Sequence, residues 1–372
     1  MRIAVLVSGG VDSAVVVDKL YREGHELTLF YIRIGMDNDE GDCSAEEDIE
    51  FCSLIASRYE LPLKIVSLHQ EYWDYVMGYA LDSVKRGLTP NPDMMCNKFI
   101  KFGFFEQRYG KDFDKTASGH YAGVEEIGGR KFLVTAPDPV KDQTDFLSAI
   151  SYEQLCHVMF PIGSMPKKEV RELALKAALP NATRRDSQGI CFLGKIDYRD
   201  FISRKLGVME GKVVDIDTGK VIGTHNGHWL YTIGQRKGLG LGGGPWFVIR
   251  KDIGTNTLYV SKGYETPLQY KKEIPLEPIH WISGDPWFDD DLRKLPFISD
   301  NFPLEGPASI SFKIRHTPDF TSGRLVKDKG DWIIMADRDI QGVAPGQYAT
   351  IYTPDRHICL GSAMIANRAT TE

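Results

Sequence analysis

Arg2-Ile3-Ala4-Val5-Leu6-Val7 runs directly into Ser8-Gly9-Gly10-Val11-Asp12-Ser13, and the helical spacing of Ala14–Arg22 follows at once. A short apolar run is a strand, Val15, Val16 and Leu20 share a helix face, and Gly24 stops the helix. The hexapeptide is therefore the turn between a strand and a helix. Glycines let backbone N–H groups approach a phosphate closely, and the helix N-terminus adds a favourable dipole. Ser8 and Ser13 add hydroxyl donors. Asp12 is suited to a magnesium ion that bridges phosphate oxygens. The loop lacks the Gly-Lys-Ser/Thr ending of a P-loop and the G-x-G-x-x-G spacing of a dinucleotide site. A lone Ser-Gly-Gly would read as a plain turn, but the full hexapeptide after an N-terminal strand favours a phosphate loop.

The same alternation continues outward from this unit. Strands are expected at Leu27–Ile34, Leu63–Leu68 and Lys115–Ser118. Helices are expected at Ala45–Tyr59 (capped by Ser44), Tyr72–Lys85, Asn97–Tyr109 and Glu169–Ala178. Strands alternating with helices predict an α/β fold with a doubly wound parallel sheet, and ligands in such sheets bind beyond the carboxyl ends of the strands. After Gly207 the texture changes to hairpins, Gly211–Thr224 and Trp246–Val260. From about Glu277 short alternating runs dominate, as in a small barrel or sandwich. The expected division of the 372 residues is 1–206, 207–274 and 275–372.

Composition bounds the function. The net charge of −6 argues against a wholly basic nucleic-acid binder. The charge is uneven, however. Asp37–Glu50 holds eight acidic residues and no basic one, so the rest of the chain is net +2, and Pro161–Lys205 alone is net +5. Six cysteines in this length, none in a C-x-x-C pair, disfavour both a disulfide scaffold and a zinc ribbon. The apolar start is too short for a signal-peptide core, and no run approaches the ~20 apolar residues of a membrane span. The expectation is a cytoplasmic protein with reduced thiols and no membrane contact.

Two cysteines keep unusual company. Cys96 follows Thr89-Pro90-Asn91-Pro92-Asp93-Met94-Met95, a polar loop bounded by prolines, and is expected at a helix start near Lys98 and Lys101. Such surroundings favour a thiolate. Cys191 lies in Asp186-Ser187-Gln188-Gly189-Ile190-Cys191-Phe192 behind Arg184 and Arg185. Ile190 and Phe192 serve equally to bury it, so the residues alone leave its role open. A pair of loop cysteines beside a phosphate loop suggests sulfur chemistry, one thiol carrying sulfur and the other resolving it. Cys43, Cys52, Cys156 and Cys359 take a packing role.

The hexapeptide resembles the PP-loop of the ATP pyrophosphatases, which cleave ATP between its α and β phosphates. Four further motifs occur in order: the Asn91–Asn97 segment, Ser118-Gly119-His120-Tyr121, Lys141-Asp142-Gln143, and the motif of Cys191. They are followed by Tyr231-Thr232-Ile233-Gly234-Gln235-Arg236-Lys237-Gly238-Leu239-Gly240 and, near the end, Pro345-Gly346-Gln347. Together they resemble the bacterial tRNA-specific 2-thiouridylase family over essentially the whole chain. The resemblance implies a PP-loop catalytic domain at 1–206, a small central domain at 207–274 and a tRNA-contacting β-barrel at 275–372. It places ATP, with Mg2+, at Leu6, Val7, Ser8, Gly9, Gly10, Val11, Asp12, Ser13, Tyr31 and Gly119. It makes Cys96 the nucleophile and Cys191 the persulfide carrier, and it pairs the two in a redox disulfide. Asn91, Pro92 and Asp93 would meet the target base. His120, Lys141, Asp142, Gln143, Arg315, His316 and Gln347 would contact tRNA. Tyr31 stands where the family has Met, and His316 where it has Tyr. A sulfur-relay protein or cysteine desulfurase is implied as partner, the chain acting as a monomer.

Two other classes remain in view. A PP-loop synthetase adenylating a small molecule would need neither the paired cysteines nor an RNA-binding β domain. A nucleotide sensor would bind ATP without splitting it.

Overall fold

The computed structural model describes residues 1–35, 43–185, 198–264 and 266–367. Cys191 with its motif, and Asp37–Asp42 of the acidic stretch, lie outside the described residues.

The opening strand β1 (Arg2–Leu6) is followed by helix α1 (Val11–Arg22), strand β2 (Glu26–Arg33), helix α2 (Cys43–Tyr59) and strand β3 (Leu63–Ser67). Further on lie β4 (Lys115–Ala117), the hairpin β5 (Gly123–Ile127) and β6 (Arg130–Val134), and the two-residue β7 (Val158–Met159). Strands β3-β2-β1-β4-β7 form one parallel sheet in that order. Along β1 the side chains alternate between two cores. Ile3 and Val5 pack with α1 and with Cys52, Ile55 and Ala56 of α2, whereas Ala4 and Leu6 pack with Phe30, Met94 and Phe105. Burial on both faces explains why β1 reads as a continuous apolar run. The chain winds from β1 through β2 to β3 and then returns to the other side of β1 as β4. The carboxyl ends of β1 and β4 thus flank the crevice where the strand order reverses.

Two expectations about helix starts change. Helix α2 begins at Cys43, so Ser44 is inside it rather than capping it. The helix expected from Asn97 begins at Pro92, with the Asn91 side chain accepting from Met94 N–H at 3.2 Å. Proline is favoured at the first helical position, and Asn is among the best caps. The sequence Asn91-Pro92 therefore starts a helix instead of closing off a loop. From Cys96 to Phe104 this helix widens to π geometry.

The central part pairs β8 (Gly211–Asp215) with β9 (Val221–His225), and β10 (Trp246–Asp252) with β11 (Thr257–Lys262). The two expected hairpins are joined through a parallel β8–β11 ladder. The third sheet adds β12 (Tyr270–Leu276), β13 (His280–Trp281), β14 (Ala308–Lys313), β15 (Thr321–Asp328), β16 (Asp331–Gln341), β17 (Tyr348–Tyr352) and β18 (Ile358–Met364). Its order is β12-β16-β15-β14-β17-β18-β6-β5, with β13 on β18. Residue 275, the expected start of the third part, thus falls inside β12. The β5–β6 hairpin from the first part completes the same sheet through Ile358↔Val134. Gly128 and Gly129, both at positive φ, close that hairpin in two residues.

Candidate active site

The glycine loop sits at the carboxyl end of β1 as its chemistry requires. Gly9 has φ +70°, and Gly10 caps α1. The loop is tied internally: Ser8 N–H donates to Ser13 Oγ at 3.2 Å, and Ser13 Oγ donates to the Gly10 carbonyl at 3.0 Å. Gly119, just beyond β4, lies against it. A Cβ at Gly119 would come within 3.1 Å of Ser13 N and 3.3 Å of Asp12 Cβ, so a side chain there would push the loop aside. Tyr31 is buried near the carboxyl end of β2.

Four residues not singled out by sequence complete the loop's surroundings. Lys167 Nζ lies 2.7 and 2.8 Å from the two Asp12 carboxylate oxygens, and Tyr121 Oη donates to Asp12 at 2.8 Å. Asn181 Nδ2 and Arg184 Nη1 donate to the Gly9 carbonyl at 2.8 and 3.1 Å. Arg184 also pairs with Asp48 at 2.6 Å. Tyr121 belongs to a quoted motif in which it was given no role, and Arg184 stood beside another. Lys167 was one cation in a basic stretch, and Asn181 carried no signal. The Cys52 thiol packs beneath Gly9, and burial pushes its pKa up to about 12, which keeps it a packing group.

Cys96 is 3% exposed and sits one turn inside its helix, packed with Met94, Met95, Ile100 and Phe102. The expected polar loop is an apolar helix turn, and the helix dipole weakens beyond the first turn. Asn97 is 2% exposed and donates from Nδ2 to the Phe146 carbonyl at 3.1 Å.

In front of this turn opens a cavity of about 430 Å³, within the ordinary range of ligand pockets. All three parts of the chain line it. Asn91, Pro92, Asp93 and Met94 come from the Cys96 helix. Tyr231, Thr232 and Gln235 come from the central part, and Arg315, His316 and Gln347 from the loops that follow β14 and precede β17. The structure therefore brings together the residues expected at the target base and the three C-terminal residues expected at tRNA. His316 stacks on Phe146 with ring centroids 4.5 Å apart and holds Asp145 at 3.1 Å. Arg315 donates to the Gly342 carbonyl. Gln347 Oε1 is buried and makes no hydrogen bond among the described residues.

The remaining expected residues do not line this cavity. Asp142 and Lys313 form an ion pair at 3.0 Å with both side chains 1% exposed, so Asp142 supports the cavity from inside. Gln143 Oε1 accepts from Tyr121 N–H at 3.0 Å, linking two of the motifs. Lys141 is half-buried on the same loop. His120 is buried, with Nδ1 2.8 Å from Ser118 Oγ and its ring against Phe102 and Phe160. Burial, assisted by Lys101, holds the His120 pKa well below the ordinary 6.5. Burial also lowers the pKa values of His225 and His280.

The consequence for pH follows from linkage. Below about 6.5 the unfolded chain binds protons that the folded imidazoles refuse, so stability falls as pH is lowered through that value. The thermal midpoint at pH 5.5 is expected below that at pH 8, with His120→Gln reducing the difference. An unchanged pH dependence in that variant would contradict the role given to His120.

A parallel sheet ending in a glycine phosphate loop, joined through one cavity to two β-rich parts, defines a three-part nucleotide-dependent enzyme of the PP-loop kind. Residues 1–195 match the tRNA methyl transferase HUP domain family, 199–262 its PRC-barrel domain and 272–365 the aminomethyltransferase β-barrel domain. Relatives extend over the full chain. A tRNA-specific 2-thiouridylase MnmA of Parabacteroides distasonis is 57% identical over 98% of this chain and 99% of its own. Those of Porphyromonas gingivalis and Bacteroides fragilis are 54% identical over 98% of this chain, covering 99% and 100% of theirs. The chain belongs to the tRNA-specific 2-thiouridylase family, a class of tRNA sulfurtransferases. No helix among the described residues is long and apolar enough to cross a membrane.

Proposed function

We propose that this enzyme converts the wobble uridine of tRNA to 2-thiouridine in two chemical steps. The uridine C2 oxygen attacks the α-phosphorus of ATP, and pyrophosphate leaves. Adenylation turns a poor leaving oxygen into a good one. Sulfur then adds at C2, and AMP departs with the former C2 oxygen. The phosphate loop residues Ser8 to Ser13 cradle the ATP phosphates, with Tyr31 and Gly119 beside the nucleotide. Asp12 is a hard oxygen donor suited to Mg2+, which supplies neutralisation of phosphate charge. Lys167 and Tyr121 hold its carboxylate in place, and Asp12 would hold the ion from there.

Cys191 carries the sulfur as a persulfide. Cys96 either attacks its inner sulfur, releasing sulfide that adds at C2 and leaving a Cys96–Cys191 disulfide for later reduction, or acts after the outer persulfide sulfur has itself displaced AMP from C2, attacking the Cys191 sulfur so that the same disulfide forms and the thiolated base is freed. Asn91, Pro92 and Asp93 face the base. Lys141, Gln143, Arg315, His316 and Gln347 contact the tRNA, while Asp142 braces the cavity wall through Lys313 and His120 stays in the interior beside Ser118. The enzyme acts in the cytoplasm as a monomer on the tRNAs for Lys, Glu and Gln. A relay protein or cysteine desulfurase supplies its sulfur.

The observation that carries this reading is the cavity in which Asn91–Met94, on the helix bearing Cys96, faces Arg315, His316 and Gln347. A small-molecule synthetase has no use for such a three-part wall. The test is release of AMP and pyrophosphate from ATP with and without tRNA. Release that requires tRNA is expected. Tight ATP binding with no release, or release indifferent to tRNA, would overturn the proposal.

A further inference from the structure

Cys96 is buried, yet a continuous set of contacts connects its helix turn to the far wall of the cavity. Its neighbour Asn97 has no solvent-facing role, being 2% exposed. The Asn97 amide donates to the Phe146 carbonyl at 3.1 Å. The Phe146 ring stacks on His316 at 4.5 Å and 32°. The His316 imidazole, with its side chain 39% exposed, lines the cavity and is held by Asp145, one residue before Phe146. Phe146 is thus gripped from both sides, by its carbonyl from the cysteine helix and by its ring from the loop after β14.

Two features show that this arrangement is specific. The helix leaves α geometry at Cys96 and continues in π geometry; such widenings re-aim side chains and are frequent at functional sites. The Asn97 Oδ1 atom is buried and makes no hydrogen bond among the described residues. An unpaired buried acceptor is destabilising, because it has lost its bond to water and gained none in the protein. An apolar side chain would avoid that cost, so a packing role alone does not account for an amide at this position.

Resting on the function proposed above, we propose that Asn97 is a positioning residue for sulfur transfer. Through Phe146 it ties the Cys96 turn to the wall that His316 contributes, so the thiol is in register only when that wall is in place around a base. Adenylation occurs at the glycine loop, which this chain of contacts does not include. Loss of Asn97 should therefore separate the two steps rather than slow both.

The experiment measures pyrophosphate released per 2-thiouridine formed, using full-length enzyme, tRNA, ATP, magnesium and a persulfide donor. For Asn97→Ala, pyrophosphate release is expected near the wild-type rate. 2-Thiouridine formation should fall by about tenfold or more, the scale of a misplaced reacting group. The ratio then rises by the same factor. His316→Ala should raise the ratio as well, and His316→Phe, which keeps a ring on Phe146, should restore it. An Asn97→Ala ratio equal to wild type would overturn the positioning role. A raised ratio in Asn97→Ala with an unchanged one in His316→Ala would overturn the connection through Phe146. Wild-type enzyme that forms no 2-thiouridine at all would instead count against the function proposed above.

Discussion

Cys96→Ser is expected to reduce 2-thiouridine formation to background, a loss of ~10³-fold or more, as removal of a covalent nucleophile does. Serine differs from cysteine by one atom and fits the same buried space, so the fold and the glycine loop should be preserved. The hydroxyl cannot exchange with a persulfide, and at neutral pH it is a far weaker nucleophile than a thiol. Oxygen in place of sulfur therefore removes the chemistry and little else. The check is nucleoside mass spectrometry of treated tRNA beside an ATP-binding measurement on the same preparation. Thiolation retained at a sizeable fraction of wild type would show that the buried thiol packs and does not react.

Asp142→Ala is expected to cost about 3–5 kcal/mol of stability, because it strands the Lys313 ammonium in the interior. Both partners are 1% exposed, so water cannot take over the lost interaction. The Asp142 carboxylate also accepts from Ala136 N–H at 3.1 Å and from the Thr144 hydroxyl at 3.0 and 2.9 Å. Removing it also takes the acceptor from Ala136 N–H, while the Thr144 hydroxyl still reaches Tyr352 Oη at 3.0 Å. The double variant Asp142→Leu with Lys313→Met should recover much of the loss, since an apolar pair of similar bulk avoids buried charge altogether. Urea denaturation of the three proteins reads this directly. A single variant as stable as wild type would mean that Asp142 serves tRNA contact rather than support of the cavity.

These two residues also mark how far the sequence could be read. The β1–loop–α1 unit was legible because its signals are local: an apolar run, a glycine pair and helical spacing within two dozen residues. The hairpins of the central part and the later strands were legible for the same reason. The attachment of β5–β6 to β18 was not, because Val134 and Ile358 meet across more than half the chain. Gly128-Gly129 was a local hairpin signal that went unused. Asp142 and His120 were expected at the tRNA on the resemblance alone, and nothing adjacent in sequence announces their buried partners. Lys313 sits in an ordinary alternating strand. The cavity itself has no local signature, its walls coming from residues near 91, 231 and 315. Family resemblance named several of its residues, but not what holds them there. The helix start at Pro92 was a matter of competing rules, in which proline as a loop former gave way to proline at the first helical position.

The central claim is tested most directly by incubating substrate tRNA with the wild-type enzyme, ATP, magnesium and sulfide, and analysing the digested nucleosides by mass spectrometry. The account predicts 2-thiouridine at the wobble position, dependent on ATP. Its absence under conditions where ATP is bound would contradict the account.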